Sequence, residues 1–578
     1  MWVGDVRRLQ TGSAALADAL SRVGAPVFVV DVGDRLAVAQ EGCALLGGSP
    51  ASDMLRNHPG ETYPLRACVP VLCPEQLGEA SFRQRYGVRY AYVGGAMAHG
   101  IASARMVVAL GRAGMLGFFG AAGLRLERIA EAIDEIQRAG GCPGPVGEPV
   151  GSGGGEFPAG FNLIYDPAEP RHEAAVVDLY LRRNVRLVSA AAYINLSEPL
   201  VRYRVAGLRP GPDGRVLATN RVIAKVSRVE VARRFFSPPP AAMVAALLRR
   251  GEITADQAEL AGRVPMADDL TAEADSGGHT DNRPALALLP TMLALRDEYQ
   301  ERFGDSHRFG VGAAGGIATP AATAAAFAMG AGYVLTGTIN QACVESGTSD
   351  VVRQMLTEAS QADVVMAPAA DMFEMGVQVQ VLKRGTMFAI RARKLFEVYR
   401  AFGSLDELPP ELRHKLETTI FGMPLDEVWR QTRAFFARRD PAQVERAERD
   451  AKHRMALVFR WYLGQASHWA IAGDPQRVMD YQVWCGPAMG AFNEWVRGTY
   501  LERPEHRDVA TVALNLLVGA AALTRAHWLA AQGVSPPPAA RSFVPRSRAA
   551  LAPLLDRDDN TMELCAMSSP SGRQVEPA

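Results

Sequence analysis

Three glycine-rich strand ends follow one another in the middle of this chain, and they restrict its fold more than any other feature. They are Glu273-Ala-Asp-Ser-Gly-Gly-His279, Gly310-Val-Gly-Ala-Ala-Gly-Gly-Ile317 and Leu335-Thr-Gly-Thr338. Gly310, Gly312 and Gly315 satisfy G-x-G-x-x-G, but a dinucleotide fingerprint opens a βαβ unit and needs an acidic residue about 20 positions on, at the end of the next strand. The next strand here, Tyr333-Val-Leu-Thr-Gly-Thr338, carries no carboxylate. A Gly-Gly at one strand end and a Gly-Thr at the next suit instead the phosphate site of a β/α barrel, built from the loops after strands seven and eight. Glycine lets the backbone approach an anion closely, and free N–H groups at a helix start receive it.

The rest of the chain supplies the other units. Apolar runs ending in glycine or a polar residue occur at Arg89 to Met97, Leu116 to Gly120, Ala159 to Tyr165, Arg186 to Ala192, Arg221 to Ser227 and Asp269 to Glu273. Helical stretches separate them. In the stretch Arg125 to Arg138, apolar residues at 126, 129, 130, 133 and 136 keep a helical period. Eight strand-then-helix units predict an α/β chain built on a closed (β/α)8 TIM barrel over residues 81–345. Residues 1–80, with short runs such as Val27 to Asp31, predict a small β-rich module. Residues 346–534 predict a helical substrate or lid region with barrel-closing segments, and residues 535–578, starting with Pro536-Pro-Pro538, a disordered tail. An inserted helical hairpin is expected from Ala241 to Gly262.

Composition narrows the function classes. Of 578 residues, 48% are hydrophobic and 21% charged, which allows a large soluble core. Lys plus Arg equals Asp plus Glu at 62 each, which removes the electrostatic argument for nucleic acid or an acidic membrane. Seven cysteines without C-x-x-C spacing argue against a disulfide framework or a zinc site and fit a reducing cytoplasm. The start, Met-Trp-Val-Gly-Asp, reads as no secretory signal. The apolar stretch from Val509 to Leu529 contains Asn515, Arg525 and His527, which favours a buried helix over a membrane span.

Chemistry in a barrel sits at the carboxyl ends of its strands. The glycine and polar residues there are Gly94, Gly95 and Met97, then Asn162, Lys225, and Ser276 to His279. Together with Ala113-Gly-Met-Leu-Gly117, Phe161-Asn162, Ala314-Gly-Gly-Ile317 and Gly337-Thr338, they resemble the FMN-dependent enoyl-acyl-carrier-protein reductases, relatives of the nitronate monooxygenases. Two further stretches, Glu374 to Gly385 and Tyr481 to Trp495, resemble more narrowly the PfaD-type enoyl reductases that act in trans on polyunsaturated fatty acid and polyketide synthases. The likeness covers roughly residues 60 to 535. Gly94-Gly-Ala-Met97 departs from the Gly-Gly-Met-Ala of the simpler reductases, which leaves the contact of Met97 open.

The resemblance implies bound FMN and NADPH, or NADH, as reductant. The partners it implies are acyl carrier protein domains of a synthase, with a homodimer left open. The site residues it implies are Gly95, Ala96, Met97, Asn162, Lys225, Gly277, Gly278, Gly315, Gly316, Gly337 and Thr338 around the cofactor, with His279 as the catalytic residue and no metal. Lys225 would place a cation where the reduced ring carries negative charge. The imidazole of His279 would donate to a thioester carbonyl or act as an acid near neutral pH. A nitronate monooxygenase-like flavin oxygenase and a non-catalytic protein of synthase assembly are the alternatives. Arginines 433, 438, 439, 446 and 449 with Lys452 alternate with acids and read as a solvated face. Trp461, Trp469, Trp484 and Trp495 read as helical core.

Overall fold

The computed structural model describes residues 1–45, 61–141, 156–165 and 170–556. Eight parallel strands form a closed barrel. They are β1 (Tyr92–Gly94), β2 (Leu116–Phe119), β3 (Ala159–Ile164), β4 (Leu187–Ala191), β5 (Arg221–Val226), β6 (Asp269–Glu273), β7 (Gly310–Ala314) and β8 (Val334–Thr336). Each lies within the run predicted for it, and each pairs with its sequence neighbour. Closure comes from β8 on β1, with Val334, Leu335 and Thr336 opposite Tyr92, Val93 and Gly94. The strands read as continuous apolar runs because both faces are covered, the outer by helices and the inner by side chains of the barrel itself. Across the closing seam the Tyr92 hydroxyl meets the Thr336 hydroxyl at 2.6 Å.

The amino end of the barrel is plugged by buried charge. Asp268, just before β6, accepts from Arg204 Nη1 at 2.8 Å, from the Val222 N–H at 3.0 Å and from Arg221 at 3.3 Å. Asp269 is paired with Arg85 at 2.5 Å and with the Tyr86 hydroxyl. Burial opposes the charge on Asp268, but Arg204 and Arg221 outweigh it and hold the carboxyl well below the usual range. This network fastens the β4–β5 and β5–β6 crossovers and the helix before β1 to one end of the barrel, opposite the end where loops carry chemistry.

The chain then leaves the barrel after β8 and returns late. Helix Val509–Ala531 packs against Pro320–Ala328, which follows β7, and touches Ala104–Arg112, which follows β1. It thus takes the eighth place in the helical ring. Among the described residues it is the one helix long and apolar enough to cross a membrane, yet 94% of its apolar window is buried in the fold. Its Arg525 donates to the carbonyls of Leu20, Arg22 and Ala25, which ties the N-terminal module to the barrel. That module holds two antiparallel sheets of three and four strands and helix Ser13–Ser21.

Between the departure and the return, an antiparallel hairpin, β9 (Val364–Pro368) and β10 (Gln378–Leu382), and helices Phe388–Ala401, Leu425–Arg439 and Ala451–Ala472 build a second core around Phe373, Phe388, Phe421 and Phe459. The expected hairpin insertion is present as Ala241–Arg249 and Ala255–Ala261. The expectation of a disordered tail from residue 535 fails up to residue 556. Phe543 is buried, and helix Arg548–Leu555, capped by Ser547, buries Leu551 and Leu554 against the main core. Apolar residues spaced for one helix face outweigh the proline signal. Residues 557–578 lie outside the described residues, as do residues 142–155, a stretch rich in glycine and proline.

Asp268→Ala removes the partner of a fully buried guanidinium. It is expected to lower the unfolding free energy by about 3–5 kcal/mol, read from urea denaturation. A loss below about 1 kcal/mol, the value of an exposed pair, would show that the plug is not structural.

Candidate active site

The carboxyl ends of the strands open into one cavity of about 630 Å³. All twelve residues expected at the site line it: Gly95, Ala96 and Met97 after β1, Asn162 on β3, Lys225 on β5, Gly277, Gly278 and His279 after β6, Gly315 and Gly316 after β7, and Gly337 and Thr338 after β8. The roles expected of them divide on closer inspection.

The ends of β7 and β8 form an open cradle. Gly315 and Gly316 have φ of +83° and +77°, the left-handed region that side chains disfavour. A Cβ on Gly315 would fall 2.6 Å from the Ala274 carbonyl carbon, whereas one on Gly316 or Gly337 would meet nothing within 4 Å. The N–H groups of Gly316, Gly337 and Thr338 have no backbone acceptor among the described residues. Thr338 begins the short helix Thr338–Gln341, and its hydroxyl accepts from the Gly486 N–H at 3.3 Å. Free donors, no side-chain bulk and a helix start are the features that an oxyanion needs.

Other expected residues are tied to protein groups. The Asn162 Oδ1 accepts from the N–H groups of Ala121 at 2.6 Å and Ala122 at 3.1 Å, fixing the loop after β2 and leaving only its amide nitrogen for a ligand. Lys225 Nζ sits 2.7 Å from Glu273 Oε1, so its charge is already compensated. Gly277 is glycine for packing: a Cβ there would lie 2.9 Å from the backbone of Cys485 and Gly486, and a Cβ on Gly486 would lie 2.7 Å from the Gly277 nitrogen. The two glycines let the loop after β6 touch the segment that returns from the helical region.

His279 is held from outside the barrel. Gly278 and His279 pair with Gln380 and Val379 of β10, making the hairpin a three-stranded sheet. The imidazole Nε2 lies 3.1 Å from each carboxylate oxygen of Asp371, in the hairpin connection. Burial pushes the imidazole down, but the hydrogen bond and charge of Asp371 push it up further, so it stays protonated above its ordinary range. Burial likewise works against the Asp371 charge, and the bond from His279 wins, holding that carboxyl low.

A helical lid region was expected over residues 346–534, but the side chains by which it walls the cavity were not. Gln431, Phe435 and Arg439 from Leu425–Arg439, and Arg460, Trp461, Gln465 and His468 from Ala451–Ala472, line the same cavity. Trp461 and Trp484 therefore face it, while Trp469 and Trp495 pack on core as expected. The basic face is mostly solvated and paired, with Arg433 on Glu448 at 3.0 Å. Arg439, on the same face, also lines the cavity. His99 also lines it, with φ of +56°, its ring stacked on Trp484 at 5.6 Å between centroids. Burial pushes His99 down to about 4, so it is neutral at physiological pH.

A β/α barrel with an oxyanion cradle at strands seven and eight, an imidazole after strand six and a helical roof defines a class, and comparison with known proteins gives the family. The chain is 39% identical to the enoyl reductase domain of MlnA from the macrolactin biosynthesis cluster of Bacillus amyloliquefaciens, with a TM-score of 0.72, covering 79% of this chain and 99% of that one. It is 46% identical over 491 residues to a polyunsaturated fatty acid synthase polypeptide of a Thraustochytrium species, covering 84% of this chain and 32% of the relative. It is 44% identical over 449 residues to the polyketide biosynthesis protein PksE of Bacillus subtilis, covering 78% and 56%. Residues 402–481 match the inserted helical domain of [acyl-carrier-protein] S-malonyltransferase. The chain belongs to the family of PfaD-type enoyl reductases. It spans about a third of the Thraustochytrium polypeptide and just over half of PksE.

Gly277→Ala is expected to force the loop after β6 away from residues 485 and 486, at about 1–3 kcal/mol of overpacking. The check is a lowered midpoint of thermal unfolding with faster amide exchange at residues 484–488; unchanged exchange would show that the contact yields freely.

Proposed function

We propose that this chain is an FMN-dependent enoyl reductase acting in trans, which uses NADPH to reduce the α,β-double bond of enoyl thioesters tethered to acyl carrier protein, in the cytoplasm. The observation that carries the reading is the meeting of the bare cradle at β7 and β8 with His279 and Lys225 in one cavity, under a roof of aromatic side chains.

The residues present fit the cofactor. Gly315, Gly316, Gly337 and Thr338 would hold its phosphate through backbone N–H groups, because nothing but hydrogen occupies the Cβ positions of Gly316 and Gly337. Gly95, Ala96, Met97 and the amide nitrogen of Asn162 would border the ring, with Gly278 approaching through its backbone. FMN, when bound, would supply two-electron hydride chemistry between NADPH and the β-carbon of the enoyl group, with the α-carbon proton drawn from solution. The protein orients the substrate and manages its charge. Lys225, kept in place by Glu273, supplies a cation where negative charge collects. His279 donates a hydrogen bond to the thioester carbonyl, whose oxygen gains charge as hydride arrives at the β-carbon. Phe435, Trp461 and Trp484 exclude water from the reacting atoms. The acyl carrier protein brings the substrate to the cavity on its flexible arm. The names of the relatives, which belong to polyketide and polyunsaturated fatty acid synthesis, support that partner.

The deciding experiment is the visible spectrum of the purified protein under anaerobic conditions. Flavin bands that bleach with NADPH and return with a crotonyl thioester are expected. Bands that return only with oxygen would replace the reductase with an oxygenase, and a colourless protein that takes up no FMN would replace it with a non-catalytic assembly role. Gly316→Asp sets a side chain and a like charge in the cradle and is expected to abolish FMN retention, measured as the flavin-to-protein absorbance ratio. Stoichiometric FMN in that variant would overturn the phosphate assignment.

A further inference from the structure

His279 stands on the barrel, but the group that orients its ring comes from the excursion between β8 and the eighth helix. Three contacts join the two sides, and two more hold each side in shape. The backbone of Gly278 and His279 is zipped to β10. Gln380 Nε2 donates to Asp275 Oδ1 at 2.9 Å, and the same oxygen accepts from Asn282 Nδ2 at 2.9 Å, so both shoulders of the His279 loop are fastened. The Ala369 N–H donates to the Val377 carbonyl at 2.9 Å, closing the hairpin connection that presents Asp371. The Asp371 carboxylate then meets Nε2 with both oxygens at 3.1 Å. The opposite ring nitrogen, Nδ1, makes no hydrogen bond among the described residues.

We infer that Asp371 is a positioning residue for the reaction: it accepts from Nε2–H of His279, fixes the ring with that nitrogen toward the hairpin and leaves Nδ1 as the atom that meets the substrate. This rests on the reading of His279 as the residue that touches the enoyl thioester. A backbone tether alone leaves an imidazole free to rotate and free to choose its tautomer, whereas a carboxylate at Nε2 fixes the ring and holds one hydrogen there. Nδ1 then carries a hydrogen to donate only in the imidazolium, which the carboxylate makes persist. The charged groups facing the ring are few: Asp371 and Glu273 favour its charge and Lys225 opposes it, while Arg460, beyond Asp371, helps keep that carboxyl ionised. The donor role moves no proton and no electrons; His279 polarises the carbonyl and keeps its own hydrogen.

The inference makes the hairpin part of the active site. A barrel whose hairpin were displaced would keep the cradle of β7 and β8 and the Lys225–Glu273 pair, yet its imidazole would lose both register and partner. Cofactor retention and substrate reduction are therefore separable by mutation at one residue that lies outside the cradle.

The experiment compares Asp371→Asn, Asp371→Glu and His279→Ala with the unaltered chain, each holding its flavin. Isotope-labelled histidine is titrated by NMR, with the His279 signal identified by its loss in His279→Ala. A midpoint above the ordinary value of about 6.5 is expected in the unaltered chain, and a midpoint below it in Asp371→Asn, where burial acts alone. Stopped-flow oxidation of the reduced protein by a crotonyl thioester is then followed against pH. A rate that needs the imidazolium falls as pH rises through the His279 pKa, so the falling limb is expected to move to lower pH in Asp371→Asn and to return in Asp371→Glu. His279→Ala is expected to lose on the order of 100-fold at every pH. Reduction by NADPH and the flavin content are expected to stay unchanged in both Asp371 variants. An unshifted His279 midpoint in Asp371→Asn, or a shifted midpoint with an unmoved rate profile, would overturn the role of Asp371. A protein that holds no flavin or is not reoxidised by the thioester would instead overturn the reductase reading, and the NMR titration would still decide the pairing.

Discussion

The pairing of β8 with β1 is the constraint from which the rest of the structure follows. A closed barrel tolerates no missing crossover, because an uncovered strand face would expose apolar surface and the sheet would reopen. This chain reaches β8 at Thr336 but supplies the covering helix only at Val509. Everything between must leave from the carboxyl end of the barrel and come back to its outer wall. Such an excursion necessarily lies over the mouth of the barrel, where the chemistry of this fold is found. The roof of the cavity is thus a product of where the chain interrupts its own barrel.

An excursion of that length needs its own core and its own fastening. The core is the aromatic cluster around Phe373, Phe421 and Phe459. The fastening is concentrated on the loop after β6, where β10 adds His279 to its sheet and Gly486 presses on Gly277. Both contacts involve backbone, which gives fixed distances that side chains alone do not. The result is a site made of two halves with different tolerances. The cradle at β7 and β8 depends on glycines within the barrel, while the imidazole depends on a hairpin that packs from outside.

The strand ends are legible in the sequence because each is a short apolar run stopped by glycine or a polar residue, a pattern set by neighbours in the chain. Glycines 315, 316 and 337 are legible for the same reason, since a bare backbone at two successive strand ends has few other uses. Asp371 is not, because it lies far along the chain from His279 and meets it only through sheet pairing that no local pattern records. Asn162 is found at its place in the cavity, but the use of its Oδ1 on the loop after β2 depends on geometry and not on residue type. Gly277 reads as a ligand contact, and its bare backbone is also needed for Gly486; a glycine at a strand end signals close approach without saying everything that approaches. Trp461 and Trp484 look like core in any helical period, and here the same faces that border the second core also border the cavity.

Net charge is the clearest case of a property that composition hides. The chain is neutral overall, with 62 basic and 62 acidic residues, and that balance removes any argument from its mean field. The cavity concentrates charge of both signs. Its walls carry Lys225, His279, Arg439 and Arg460 beside Glu273 and Asp371, with Glu374 on Arg460 at 3.4 Å. In a confined space with low-dielectric walls, such charges act far more strongly than the same charges spread over a surface. The positive groups also sit on both halves of the site, Lys225 and His279 on the barrel and the two arginines on the roof helices. The His279–Asp371 pair itself crosses between the halves, so barrel and roof are joined by charge as well as by the backbone pairing of β10.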